Sequence, residues 1–407
     1  MSPIKTAPAA LRADDEQLRA RYIDEVLGLL YPGDSPAATG GPSVEYLVIP
    51  NARKPRLLVP ADDRRVAAAA VRRYAEPQGR LARLKRDAVV TALRTGLSGL
   101  LLRDRLRIRP GGDTIDAYLD RALGPGLRLS VHIGPARANR KPVLQLLDAE
   151  GHTRAFAKLG TSALTRTLVR AEANALAAVG AAGLRTVQVP DVMHAGQWGE
   201  HEVLVQSALP VWRPRAPLTA PRLAAAMLEV ARCCGTSHGT LAGSGYWTRL
   251  RERLAAVAGH AEGAALSSAA ERIVRATGNV NLSFGSWHGD WSPWNMAGVE
   301  GAVLVWDWER FTPGVPIGYD ALHHALQVGI GRSPSAGQAV NDLVAAAPDL
   351  MLPFGVVHRQ AVEVTALLYL VDLATRYVTD RQAEAGARLG VLGSWLLPVL
   401  VARVEAL

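Results

Sequence analysis

The sequence predicts an α+β protein in which a small antiparallel sheet with one helix precedes a mainly helical half. Three observations carry that expectation. From about residue 126, three strand-like runs follow one another, LRLSVHIG, PVLQLLDAEG and TRAFAKLG, each broken by turn residues. The segment SALTRTLVRAEANALAAVGAAG then switches to apolar residues three and four apart and stops at glycine, the pattern of a helix with a C-terminal glycine cap. Two more runs, VMHAGQW and EVLVQSALP, complete a β-β-β-α-β-β order, and beyond Pro210 the pattern is helical apart from one short hairpin.

A chain of 407 residues, 49% hydrophobic and 20% charged, has material for a buried core and two or three domains, which excludes a disordered or collagen-like chain. Upstream of the sheet, DEQLRARYIDEVLGLLY has acidic residues at its start and helical spacing. A Gly/Pro/Ser stretch follows, then VEYLVIP and PRLLVP, which read as a β-hairpin around NARK. Helices near 61–75 and 80–96 carry Arg64, Arg65, Arg72, Arg73, Arg80, Arg83, Lys85, Arg86 and Arg94. Such charge runs read as solvated helix faces, with a polyanion surface as the alternative. Neither zinc spacing, nor an aromatic RNA-binding signature, nor a repeat favours nucleic acid as a partner. The expected division is an N-terminal extension of unassigned role (1–125), a sheet domain (126–210) and a helical domain (211–407).

The formal charge of +9 is uneven, with 30 basic and 19 acidic residues in 1–199 against 16 and 18 in 200–407. Only five of the 46 basic residues are lysines (Lys5, Lys54, Lys85, Lys141 and Lys158), so each lysine that is kept is worth weighing. Cys233 and Cys234 are adjacent, a spacing that strains a mutual disulfide and fits a reducing compartment. The N-terminus lacks the apolar core of a signal peptide, and no apolar run approaches the roughly 20 residues of a spanning helix. A cytoplasmic protein that does not enter a membrane is the expectation.

The chemistry concentrates in SWHGDWSPWNMAGVEGAVLVWDWERF, residues 286–311. Asp290 is followed five positions later by Asn295 and, after a strand, the turn GVEG and a second strand, by Asp307, so a hairpin would fold the last two side chains toward each other. Magnesium takes hard oxygen ligands and is usually held by one or two protein oxygens together with substrate phosphates. Asn295 and Asp307 fit that task, and Asp290 is left as a base. An Asp-x4-Asn pair alone also fits an ordinary cap or turn.

HGDWSPWN followed by VWDWE resembles the signature of the aminoglycoside phosphotransferase and choline kinase group of protein-kinase-like enzymes. That resemblance implies a bilobal kinase-like fold, ATP or GTP as donor, Mg2+, and a small-molecule hydroxyl as acceptor, with a sugar, aminocyclitol or aminoglycoside foremost. A choline-like amino alcohol is an alternative acceptor, and a non-catalytic nucleotide-binding or regulatory module is an alternative function. Carried over by position, Asp290 orients or deprotonates the acceptor, and Asn295 and Asp307 bind the metal. Lys158 in RAFAKLG and Glu172 in VRAEANAL fall where the family's phosphate-holding ion pair lies. The strand EVLVQSALP leads to the expected hinge, whose nucleotide contacts fall on Gln206, Ala208 and Leu209. His288 takes the place of a structural histidine, and Asp320, opening a helix in PGVPIGYDALHHAL, that of a brace on backbone amides.

The first loop of the sheet domain, HIGPARANRKPV, departs from a Gly-rich pattern by having only Gly134, and Arg137, Arg140 and Lys141 there are either phosphate contacts or solvated residues. His323 and His324 read as packing or surface residues rather than metal ligands. Five of the nine tryptophans surround the motif, and Trp291 or Trp308 is expected to border the acceptor site.

Overall fold

The computed structural model describes residues 22–33, 43–74, 80–97, 99, 102–109, 111–134, 137–385, 387 and 389–407. It divides into two compact units, one of residues 1–169 and 192–208, the other of 170–191 and 209–407. The chain passes for the last time from the first to the second between Ala208 and Leu209.

The first unit is built on an eight-stranded sheet. Its strands are β1 (Val44–Ile49), β2 (Leu57–Pro60), β3 (Arg105–Ile108), β4 (Arg128–His132), β5 (Val143–Leu147), β6 (Thr153–Gly160), β8 (Val192–Trp198) and β9 (His201–Ser207), β7 lying in the other unit. They are ordered β3-β1-β2-β4-β5-β6-β9-β8, and neighbours are antiparallel throughout. The predicted hairpin is β1–β2, and the five predicted strands of the sheet domain are β4, β5, β6, β8 and β9. The sheet does not stop at the boundary expected near residue 125, because Leu57 and Leu58 of β2 pair with His132 and Val131 of β4. β3, which the sequence pattern does not show, pairs with β1 at the edge.

Strand alternation divides the side chains between two faces. Leu129, Val131, Leu144, Leu146, Ala155, Ala157, Val203 and Val205 enter one core with the helix at 22–30 (α1) and helix α4 (Ile115–Leu123). On the other face, the cross-strand partners Ser130, Gln145, Phe156 and Gln206 form a row, with Lys158 beside it opposite Leu204. Helices α2 (Arg64–Tyr74) and α3 (Arg80–Thr95) pack there against Leu47, Leu57, Val59 and Leu147. The Arg-rich helices therefore have a buried side: Val66, Ala67, Ala68, Ala70 and Val71 of α2 are withdrawn from solvent, while Arg64, Arg65 and Arg72 stay outside. The predicted first helix is described only from residue 22.

Helix α5 (Ala163–Ala181) ends before Gly183, whose φ of 63° is the left-handed conformation expected of a glycine stop. The second unit holds β7 (Val187–Gln188), α6 (Ala220–Arg232), β10 (Ser237–Thr240), α7 (Gly245–Val257), α8 (Ala261–Thr277), β11 (Asn281–Trp287), β12 (Met296–Val299), β13 (Ala302–Val305) and β14 (Thr312–Pro316). Then come α9 (Tyr319–Arg332), α10 (Ala336–Met351), α11 (Arg359–Thr379) and α12 (Leu396–Glu405). The unit is not helical apart from a single hairpin: β10-β11-β14 form a second small sheet, and β7 adds in parallel to the hairpin β12–β13. Helix α11 is the core helix, with the run from Val364 to Thr375 buried. No single helix among the described residues is long and apolar enough to cross a membrane.

Candidate active site

Strand β11 delivers its chain end to a loop, residues 288–295, which is tied down from two helices. Helix α9 opens with Asp320, whose carboxylate accepts from the backbone N–H groups of His288 (2.8 Å) and Gly289 (3.2 Å), the bracing role that the resemblance implies. The guanidinium of Arg376 on α11 donates to the Gly289 carbonyl at 2.6 Å. Gly289 has φ of 85°, and a Cβ there would stand 2.3 Å from the Arg310 carbonyl oxygen, so the middle residue of the HGD motif has to be glycine.

His288 is fully buried, and both ring nitrogens have partners: Nδ1 accepts from the Asp290 N–H (3.2 Å), which leaves Nε2 to donate to the Trp306 carbonyl (3.1 Å). Burial holds its pKa down at about 4 against the pull of Asp290 and Asp307, so the ring is a neutral strut between the two halves of the motif. The Trp306 N–H returns a bond to the Asn295 carbonyl at 3.0 Å.

Asp290 receives donors on both oxygens. Oδ1 accepts from Ser292 Oγ at 2.6 Å and from His323 Nε2 at 3.0 Å, and Oδ2 accepts from Asn295 Nδ2 at 3.0 Å. Burial works to raise its pKa, but the hydrogen bond from His323, the positive charge of Arg376 and the bond from Ser292 outweigh it and hold the carboxyl well below the usual range. Because Asn295 Nδ2 also donates to the Asp290 carbonyl (3.0 Å), the amide is oriented with Oδ1 as its remaining oxygen.

The hairpin β12–β13 places Asp307 just past its second strand. Asp307 has φ of 72°, a left-handed conformation uncommon outside glycine and best tolerated by Asp and Asn. Its carboxylate groups with those of Glu172 and Glu309, one oxygen of each lying within 4.8 Å of the others. Glu172 accepts from the Trp308 N–H at 3.2 Å, which ties α5 to the segment carrying Asp307. These donors are all hard oxygens and fit Mg2+ rather than a thiophilic metal.

The structure thus brings Asp290, Asn295 and His288 into one bonded loop, and Asp307 and Glu172 into one carboxylate group. Lys158 is a buried residue of β6 in the other unit, on the face shared with Gln206. Ala208 donates its N–H to the Arg154 carbonyl at 3.1 Å, and Leu209 is buried with Ala297, Val299 and Leu304. Two expectations change. Trp291 and Trp308 are both completely buried, packed edge-on to His288, so neither borders an acceptor; Trp294 is the one exposed over 54% of its surface. Arg140 lies with its guanidinium 3.6 Å from the Tyr22 ring centroid, a cation–π contact inside the first unit. Sequence reasoning also missed His323 as a partner of Asp290. The available signal was its position: three residues after Asp320 on a helix, it shares the face that braces the loop.

No family model matches the chain, and no curated protein is similar to it. Among solved structures, it is similar to a thermostable mutant of the aminoglycoside phosphotransferase APH(4)-Ia, at 13% identity and TM-score 0.44, over 72% of this chain and 99% of that one. A protein described as a fructosamine-3-kinase from Thermobifida fusca gives 16% identity and TM-score 0.43, over 73% and 99%. The amicoumacin kinase hAmiN, in complex with AMP-PNP, Ca2+ and Ami, gives 12% identity and TM-score 0.41, over 66% and 86%. At these similarities, the functional reading rests on the site's own geometry.

Proposed function

We propose that this protein transfers the γ-phosphoryl group of ATP to a hydroxyl of a small molecule. The observation that carries the reading is the Asp290–Asn295 pair: an aspartate held ionised, hydrogen-bonded to an amide whose remaining oxygen is free for a cation. In this reading, Asn295 and Asp307 hold Mg2+, which when bound offsets charge on the nucleotide phosphates. Asp290 accepts the hydrogen bond of the acceptor hydroxyl and aligns its oxygen for in-line attack. Lys158 and Glu172 serve the phosphates, and Gln206, Ala208 and Leu209 border the base, for which adenine is the first expectation and guanine the alternative. Phosphoryl transfer asks little covalent chemistry of a protein, so positioning and electrostatics supply most of the rate gain.

A sugar, aminocyclitol or aminoglycoside is the favoured acceptor class, supported by the acidic balance of residues 200–407, 18 acidic against 16 basic. A cytoplasmic setting suits the two adjacent thiols Cys233 and Cys234, whose sulfurs are 3.7 Å apart, within a thiol hydrogen bond and not joined in a disulfide. The test is ATP consumption against a panel of sugars, aminoglycosides and amino alcohols, with products identified by mass spectrometry. Asp290→Asn is expected to keep nucleotide binding while transfer falls by roughly two or more orders of magnitude. Near-wild-type turnover in that variant would remove Asp290 from the mechanism.

A further inference from the structure

A carboxylate oxygen has about two lone-pair directions. On Asp290 Oδ1, both are taken, by Ser292 Oγ and by His323 Nε2, whereas Oδ2 accepts only from Asn295 Nδ2 and keeps one. Asp290 still exposes 32% of its side-chain surface. We propose that His323, held by Tyr369, is a positioning residue that fills Oδ1 and so assigns Oδ2 of Asp290 to the acceptor hydroxyl.

The hydrogen-bond roles follow from the partners. A carboxylate only accepts, so His323 Nε2 carries the proton that faces Asp290. Nδ1 of the same ring stands 3.0 Å from the Tyr369 hydroxyl; burial lowers the His323 pKa and keeps the ring neutral, so the hydroxyl donates to Nδ1 and the tautomer is Nε2–H. His323 is 1% exposed and Tyr369 is wholly buried. Trp287 meets the imidazole edge-on with 6.4 Å between ring centroids, and Tyr369 at 6.1 Å, so the ring is packed against two aromatic neighbours. The side chains come from the helices α9 and α11, rigid elements that also hold the loop through Asp320 and Arg376, so the carboxylate rotamer is set by the same frame that sets the loop backbone.

The arrangement has a chemical meaning. With Nε2 already protonated and Nδ1 facing a hydroxyl donor, His323 cannot take a proton from Asp290 directly. It serves as a fixed donor, and Asp290 as an oriented acceptor with a single working oxygen. The consequence for catalysis rests on the phosphotransfer reading above; the placement of Asp290 does not.

Two measurements on the full chain separate these. The first is a long-range 1H–15N spectrum of histidine-labelled protein, with His323 assigned through His323→Gln. The Nε2–H tautomer is expected, with its signal moved in Tyr369→Phe; an Nδ1–H tautomer would overturn the proposal. The second is kinetics with MgATP and an accepted substrate. His323→Ala should lower kcat roughly tenfold to hundredfold with the KM for ATP nearly unchanged. His323→Gln, whose amide can still donate, should recover part of the loss, and the ratio of transfer to plain ATP hydrolysis should fall in His323→Ala. Unchanged kcat and ratio in a folded His323→Ala would overturn the proposal. If the wild-type chain phosphorylates nothing while the tautomer is as expected, the phosphotransfer reading fails and the positioning of Asp290 stands.

Discussion

Asp307 shows how much one residue is asked to do. Its left-handed backbone, φ 72°, is tolerable because Asp is among the few side chains that visit that region, and its carboxylate joins those of Glu172 and Glu309. Asp307 is the residue proposed to hold Mg2+, and its carboxylate offers hard oxygen of the kind that ion takes. Mg2+ is therefore expected to raise the melting temperature of the wild-type protein and to do so much less for Asp307→Asn, which keeps the backbone tolerance and removes one charge; an equal shift in both would argue against a metal there. At this scale the sequence was informative where spacing did the work: Asp290, Asn295 and Asp307 could be found because the HGD-x4-N interval and the hairpin before Asp307 are linear features. His323 and Ser292 were not, because what singles them out is their contact with one carboxylate oxygen, which the helix α9 and the turn after Asp290 create only on folding. Trp291 and Trp308 misled for a related reason, since an indole beside a motif has the same letter whether it lines a site or packs beneath it.

Among elements, β4, β5 and β6 were legible from alternation, and α5 from helical spacing and its glycine stop. β3 and β10 were not: RLRI and SHGT are four-residue strands rich in exposed polar side chains, and they exist because a neighbouring strand offers them a ladder. The boundary expected at residue 125 followed a change of pattern, yet hydrogen bonds cross it from β2 to β4. Leu58 is completely buried in the same core as Val131 and Leu144. Leu58→Ala should cost about 2–5 kcal/mol of stability, measured by urea unfolding. A chain starting at residue 126 should be recovered unfolded or aggregated, because β4 would become a bare apolar edge; a folded monomer by circular dichroism and light scattering would contradict this.

Across the molecule, buried histidines make stability depend on pH. His288 is held at about 4 against the 6.5 of an exposed imidazole, so the unfolded chain binds the proton more readily. Its contribution is present above pH 6.5 and is lost as pH falls through that window toward 4. His323 and His324, also lowered chiefly by burial, act in the same sense. Asp320, raised to about 7 by burial against the bonds it accepts from His288 and Gly289, acts in the opposite one and favours the fold as pH falls below 7. The comparison to make is therefore between proteins: between pH 6.5 and 4, His288→Gln should gain on the wild type by up to roughly 3 kcal/mol in unfolding free energy. Parallel curves for the two would show that His288 is not the group that titrates. The uneven charge of the chain is likewise a local matter, since Arg64, Arg65 and Arg72 lie on the outside of α2, while Arg73 stands over the Phe156 ring of the sheet, 5.9 Å from its centroid.

The continuous sheet has a consequence for how the chain can change length. Lys158 on β6 is separated from the edge strand β3 by β1, β2, β4 and β5, each keyed to the next by paired residues. A residue inserted in the turn between β1 and β2 is absorbed locally, as loops absorb length. The same insertion within β5 would exchange inward for outward along the strand and put Lys158 opposite the wrong partner. Tolerance to insertion and deletion in this protein should thus follow the ladder, high in its turns and low in its rungs, with distance along the chain from the HGD motif counting for little.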